Sequence, residues 1–146
     1  MKLSRKFLFV AVAVILSVST LAMTAVYAIG GVSTCNNNLN MTATSFVIFD
    51  DVGEVNAYFV GYTGITTEAI IESKIQRRTL FWWSDVDNGE TDNTWVDHFY
   101  GDVSGDVTHT VEITKKGTYR AVVTYTVKGT GGADDVIDEV IEFVYK

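Results

Sequence analysis

From Met41 onward the chain is a succession of short runs rich in Val, Ile, Thr, Tyr, Phe and Trp, cut at close intervals by Gly and Asp/Asn clusters. β-Branched and aromatic side chains suit the pleated, half-buried surface of a strand. Gly and Asx clusters suit turns. The pattern predicts strands over 42–49, 55–62, 68–77, 80–86, 94–100, 107–114, 118–128 and 136–145. Short strands at this spacing imply a two-sheet sandwich or a barrel. Two segments also fit a helical face. Val136, Ile137, Val140, Ile141 and Val144 do so behind Asp134 and Asp135, as do Ile71 and Ile75 within 67–78. The β-branched content of the first and the alternation of Ala69, Ile71, Ser73 and Ile75 in the second favour strands.

The most specific stretch is Gly117-Thr118-Tyr119-Arg120-Ala121-Val122-Val123. It looks like the start of the F strand of an immunoglobulin-like sandwich, where a tyrosine follows a turn and its hydroxyl bonds back to the backbone. Gly117 is the turn and Tyr119 the corner. Ala121 stands where antibody domains place a disulfide cysteine, so a disulfide-free relative of the fibronectin kind is expected. The mature region also resembles small secreted proteins of Gram-positive bacteria with no assigned function. The resemblance is carried by Tyr62-Thr63-Gly64-Ile65-Thr66-Thr67, by the Trp82/Trp83 region and by Lys116-Gly117-Thr118-Tyr119-Arg120, and covers most of 54–146. It implies export and an all-β fold, and no activity.

The N-terminus reads as an export signal. Lys2, Arg5 and Lys6 precede an apolar run from Phe7 to Ala28 that closes on Val26-Tyr27-Ala28, a signal-peptidase pattern with cleavage after Ala28. The run is 28 − 6 = 22 residues long. Roughly 20 apolar residues span a bilayer as a helix, so an uncleaved membrane anchor facing outward is the alternative to release. Three parts follow: a signal-peptide helix at 1–28, a flexible polar lead at 29–40, and a β-sandwich domain at 41–146. Cys35, alone and within the lead, has no partner for an intramolecular disulfide. Its flanking residues make a poor lipidation site, and no C-terminal hydrophobic tail is expected to anchor the chain.

The signal takes three of the 11 basic residues and none of the 18 acidic ones, so the mature charge is 8 − 18 = −10. Such a body repels nucleic acid and anionic surfaces. Some of that charge is concentrated around Asn88-Gly89, a strong two-residue hairpin signal. Closing that hairpin pairs Asp87 with Glu90, Asp85 with Asp92 and Trp82 with Trp95. The four carboxylates then share a face, which suits either a solvated acidic tip or a Ca²⁺ ion, the one cofactor these residues suggest.

Alternation puts Trp82 and Trp83 on opposite faces, so one of them is exposed. Trp83 and Trp95 are the expected elements of a binding surface, because a tryptophan on a rigid strand suits carbohydrate or protein contact. Catalytic patterns are weak. Asp97 and His98 are adjacent on a strand and point apart, and His109 sits in an apolar alternation as a core histidine. No nucleophile elbow or phosphate-binding glycine loop is present. The expectation is an all-β, immunoglobulin-like antiparallel β-sandwich of about seven or eight strands. It would be a secreted, non-catalytic binding or structural module, whose partner is an extracellular protein or glycan, not nucleic acid, or a second copy of itself. A small carboxylate-based hydrolase is the remaining reading.

Overall fold

Strict alternation of buried and solvent-facing side chains governs nearly every strand of the computed structural model, which describes residues 28–29, 37–101 and 103–146. The expected signal segment up to residue 27, Cys35 and most of the polar lead lie outside the described residues. The elements in chain order are β1 (Ala28–Ile29), β2 (Leu39–Phe49), β3 (Val52–Gly61), β4 (Thr66–Thr79), β5 (Trp82–Asp85), a short 3-10 turn (Thr91–Asn93), β6 (Trp95–Tyr100), β7 (Ser104–Glu112), β8 (Gly117–Gly129) and β9 (Asp135–Tyr145). Both segments with helical alternatives are strands, β4 and β9. Among the described residues no helix is long and apolar enough to cross a membrane.

All pairings are antiparallel. One sheet has the order β1-β2-β3-β7; the other runs β5-β4-β8-β9, with β6 beside β4 as well. β4 is 14 residues long, so one edge holds two partners in succession. β6 pairs with Glu68 to Ser73, and β5 with Gln76 to Thr79. The two sheets face each other across Phe46, Ile48, Val55 and Phe59 on one side and Ile71, Ile75, Val123, Tyr125, Val127 and Ile141 on the other, all buried. Burying a side chain of this size contributes roughly 1.5–3 kcal/mol, which makes this layer the main source of stability for a fold with no disulfide.

A polar layer runs through the same interior on the β2–β9 side. Thr42 Oγ1 donates to Glu139, whose other carboxylate oxygen is buried without a hydrogen-bond partner. Thr44 Oγ1 lies 2.6 Å from the Tyr125 hydroxyl, which also donates to Ala43 O at 3.1 Å. Burial pushes the Tyr125 pKa up to about 12, against a lowering by the Thr44 hydrogen bond. Asn38 belongs to this folded body and not to a flexible lead. It is fully buried, and its amide N–H and that of Leu39 donate to Asp135 Oδ2 at 2.6 and 2.9 Å. Its side chain bonds Ala133 O at 2.9 Å and accepts from the Gly131 N–H at 3.0 Å. The polar Asn run thus supplies the donors and acceptors that bind the β8–β9 loop, a use that composition does not distinguish from that of a tether.

The expected Asn88-Gly89 hairpin does not form. The hairpin closes one connection earlier, between β4 and β5, with Thr79 opposite Trp82 and Leu80-Phe81 at the turn, where Leu80 takes φ 55°. Strand 80–86 therefore shortens to Trp82–Asp85. Trp95 pairs with Ser73 and not with Trp82. Two forces favour this outcome. The long edge of β4 offers a ladder to both β5 and β6, and the alternative sets like charges directly opposite each other, which is destabilising. Asn88-Gly89 instead makes an open crossing held by side-chain caps: Gly89 N–H to Asp87 Oδ1 and Glu90 N–H to Asn88 Oδ1, each 3.0 Å.

Candidate functional site: an aromatic and basic end

The β4–β5 turn projects the run Leu80-Phe81-Trp82-Trp83 at one end of the two sheets. Phe81 is 93% exposed, Leu80 74% and Trp82 57%. Trp83 points to the opposite face, where the Arg120 guanidinium covers its ring at 4.3 Å from the centroid. Trp82, not Trp83, is therefore the open tryptophan, and Trp95 is buried in the core. At the same end, the β2–β3 turn exposes Phe49 (75%) and Val52. Exposed apolar side chains scattered singly are ordinary, whereas a contiguous group marks an interaction surface.

Cations collect at the same end. Arg77 and Arg78 lead into the hairpin, Lys115 and Lys116 form the β7–β8 turn, Arg120 lies level with Gln76, and Lys146 follows Tyr145, the partner of Gly117. Arg77 Nη2 donates to Lys116 O at 3.1 Å and so ties the two basic loops together. Gly117 reaches φ 146°, a region unfavourable to other residues, and brings its backbone up to Arg77. The Tyr119 hydroxyl donates back to Lys115 O, as the Gly-Thr-Tyr motif predicts, and fixes the β7–β8 turn. Burial raises the Tyr119 pKa, and Arg77 opposes that shift. A cleft of ≈ 230 Å³ opens beneath the hairpin, lined by Arg77, Ser84, Asp85, Glu112, Lys115 and Tyr119 among others.

From the level of Gln76 and Arg120 outward, the acids are Asp50, Asp51, Asp85, Glu112 and Glu142, five against six cations. The remainder of the 29–146 region then holds 8 − 6 = 2 cations and 18 − 5 = 13 acids. The apolar end is close to neutral, and the rest carries −11. The molecule is strongly polarised along its strands.

The acidic set expected to hold Ca²⁺ is dispersed. Asp85 accepts from Gln76 Nε2 at 2.6 Å and pairs with Lys74 at 3.6 Å, Asp87 caps the Gly89 turn, and Glu90 and Asp92 lie on the exposed crossing. Among the described residues no group of three or more His, Cys, Asp or Glu side chains is placed to hold a metal ion.

One pairing is absent from the sequence reading. Asp97 turns away from His98, as expected, and meets His109 on the other sheet, Oδ2 to Nε2 at 2.7 Å. The imidazole also stacks on Trp95, centroids 4.8 Å apart and planes within 3°. This contact closes the seam between edge strands β6 and β7. Among the described residues Asp97 is the one side-chain hydrogen-bond partner of the His109 ring. The seam pair links residues 12 apart in sequence on different sheets, a relation that alternation within one strand does not reveal. The apolar end did leave a signal: four large apolar residues in a row, bounded by Arg77-Arg78 and Ser84-Asp85, break the alternation of their neighbours.

No protein-family model matches this chain, and neither a curated protein nor a solved structure gives a significant match.

Proposed function

We propose that this chain is an exported, non-catalytic binding module on an immunoglobulin-like antiparallel β-sandwich, and that the Leu80–Trp82 end is its contact surface. The observation that carries the reading is the grouping of Leu80, Phe81, Trp82 and Phe49 on rigid strands and tight turns at one end. Their exposure costs solubility and is not needed to close the core. The immunoglobulin-like assignment is supported by the strand order. β2-β3-β7 corresponds to A-B-E, β5-β4-β8-β9 to C′-C-F-G, and Tyr119 at the start of β8 makes the corner bond of an F strand. Export is supported by the basic start, apolar run and Val26-Tyr27-Ala28 of the N-terminus.

Two measurements test this. Intact mass and N-terminal sequence of protein from medium and from membranes should give a released form beginning at Ile29; recovery of only the uncut chain on membranes favours the tethered form. Binding of labelled protein to the cell-envelope fraction should weaken in Phe81→Asp and Trp82→Ala. Unchanged binding by both variants means that this end is not the contact surface.

A further inference from the structure

We propose that the outer face of the five-stranded sheet is a dimer interface, on which a second copy of this chain packs antiparallel about a twofold axis at the level of Ser73. Three features carry it. The first is apolar exposure. Besides the aromatic end, the exposed large apolar side chains are Val96, Tyr100, Val136, Val140 and Val144, all on this face, and Tyr58 alone on the outer face of the other sheet. Grouped exposure of this kind marks an interaction surface. The second is the order of charge along β4, the strand in the middle of the face. Its outward side chains run Glu68, Ile70, Glu72, Lys74, Gln76 and Arg78, with acids in one half and bases in the other. Laid antiparallel on its own image, this row sets Glu72 against Lys74 of the second copy and Glu68 against its Arg78, and the symmetry repeats each pair. Tyr100, level with Glu68, then meets Trp83, level with Arg78. The third is an acidic groove that awaits a cation. A groove of ≈ 400 Å³ beside β4 is lined by Glu72, Glu90, Thr91, Asp92, Thr94 and Val96. Among the described residues none of its three carboxylates has an ion-pair partner. Lys74 of the second copy arrives at Glu72, on the lip of this groove. Within one chain Lys74 makes only a partly exposed contact with Asp85 at 3.6 Å, the weak kind that a second copy can displace or share.

The face is large enough for such a contact. Four strands about 4.8 Å apart, taken from Glu68 to Arg78 at about 3.4 Å per residue, cover about 700 Å² per copy. A stable interface buries about 800 Å² per partner. Packed sheets cross at about 30°, which displaces the ends of the β4 row more than its centre. Glu72 and Lys74 flank the axis and so meet at any such crossing. Glu68, Glu72, Asp85, Asp138 and Glu142 stand on the face with Lys74, Arg78, Arg120 and Lys128, so it is nearly balanced on a chain of net charge −7. The interface leaves the Leu80–Trp82 end free. Because the copies run antiparallel, the dimer presents that end twice, at opposite poles.

The test is sedimentation velocity on the purified full chain over a range of concentrations. The wild type should form a concentration-dependent dimer. Lys74→Glu and Glu72→Lys should each weaken it about tenfold or more, because each sets like charges against each other in both symmetric contacts. An equimolar mixture of the two variants should restore dimers, acid row against basic row, and the variant carrying both changes should dimerise alone. Restoration on mixing shows that the single variants fold. Phe81→Asp should leave the dimer intact, so failure of this interface and failure of the Leu80–Trp82 contact surface are read separately. Monomers at every concentration, a dimer indifferent to both single reversals, or variants that stay monomeric when mixed overturn the proposal. A dimer that Phe81→Asp dissolves also overturns it, and moves the contact to the aromatic end.

Discussion

Tyr125 offers a quantitative check on the buried polar layer. Its hydroxyl is fully enclosed, 2.6 Å from Thr44 Oγ1 and 3.1 Å from Ala43 O, and burial lifts its pKa from 10.0 to about 12. The unfolded chain loses this proton first, because its value lies below the folded one. The stabilisation is thus fully present below pH 10 and drains away as pH rises toward 12. Two pH units at about 1.4 kcal/mol each amount to about 3 kcal/mol. Tyr125→Phe keeps the ring and removes the proton. Near neutral pH it should cost about 1–2 kcal/mol, since Thr44 and Ala43 O lose a partner. Urea unfolding of both proteins from about pH 8 to 12 isolates this residue, because every other titrating group contributes equally to both. The gap should hold steady to pH 10, close above it, and reverse near pH 12. A gap that stays constant throughout would refute the burial of this hydroxyl in the folded state.

Other expectations follow from single contacts. Ser73 Oγ is buried with no hydrogen-bond partner, so Ser73→Ala should be neutral or stabilise by up to about 1 kcal/mol; a loss in urea unfolding shows that the hydroxyl is engaged. Asp97→Asn and His109→Ala should each destabilise by about 1–3 kcal/mol, with a coupling energy of about 1 kcal/mol or more in the double-mutant cycle; additive losses would mean that the seam pair contributes nothing as a pair. Gly129 leaves no room for a side chain, because a Cβ would collide with Ile65 O and approach Asn38 Oδ1. Gly129→Ala should therefore cost on the order of 3 kcal/mol, read as a drop in melting temperature. Phe81→Asp, at an apex that packs on almost nothing, should leave stability within about 0.5 kcal/mol, and a larger loss would place Phe81 in a packed site.

The strands were legible because their information is local. Alternation in 118–128 and 55–62 names the buried face of β8 and β3 directly, and the β-branched run at 136–145 outweighs its helical spacing. The Gly-Thr-Tyr motif was legible for the same reason, since Tyr119 reaches a carbonyl four residues away. Asn88-Gly89 misled because turn propensity describes an isolated ribbon. In the folded chain, the free edge of β4 competes for both arms of that ribbon and wins. Asn38 and the Asp97–His109 pair were not legible at all. Their partners lie 97 and 12 residues away on other elements, and nothing in the neighbouring residues encodes which polar group will meet which. The apolar end was half legible: the run of aromatics stood out, but which tryptophan faces water depends on Arg120, which reaches Trp83 from a strand on the far side of β4.

The two seams between the sheets differ from the core in what they can tell apart. Sliding one sheet past the other by two residues preserves the inward or outward direction of every side chain, so an apolar interior of Val, Ile and Phe discriminates poorly against such a shift. Asp97 and His109 do not tolerate it. Their neighbours two places along are Trp95 and Phe99, and Val107 and Val111. A slipped arrangement leaves a carboxylate and an imidazole facing hydrocarbon, which costs far more than a repacked methyl. On the opposite seam, Glu139 sets the same kind of stop against Thr42. The two polar pairs, Asp97–His109 and Glu139–Thr42, thus act as alignment pins between the sheets of a chain without proline.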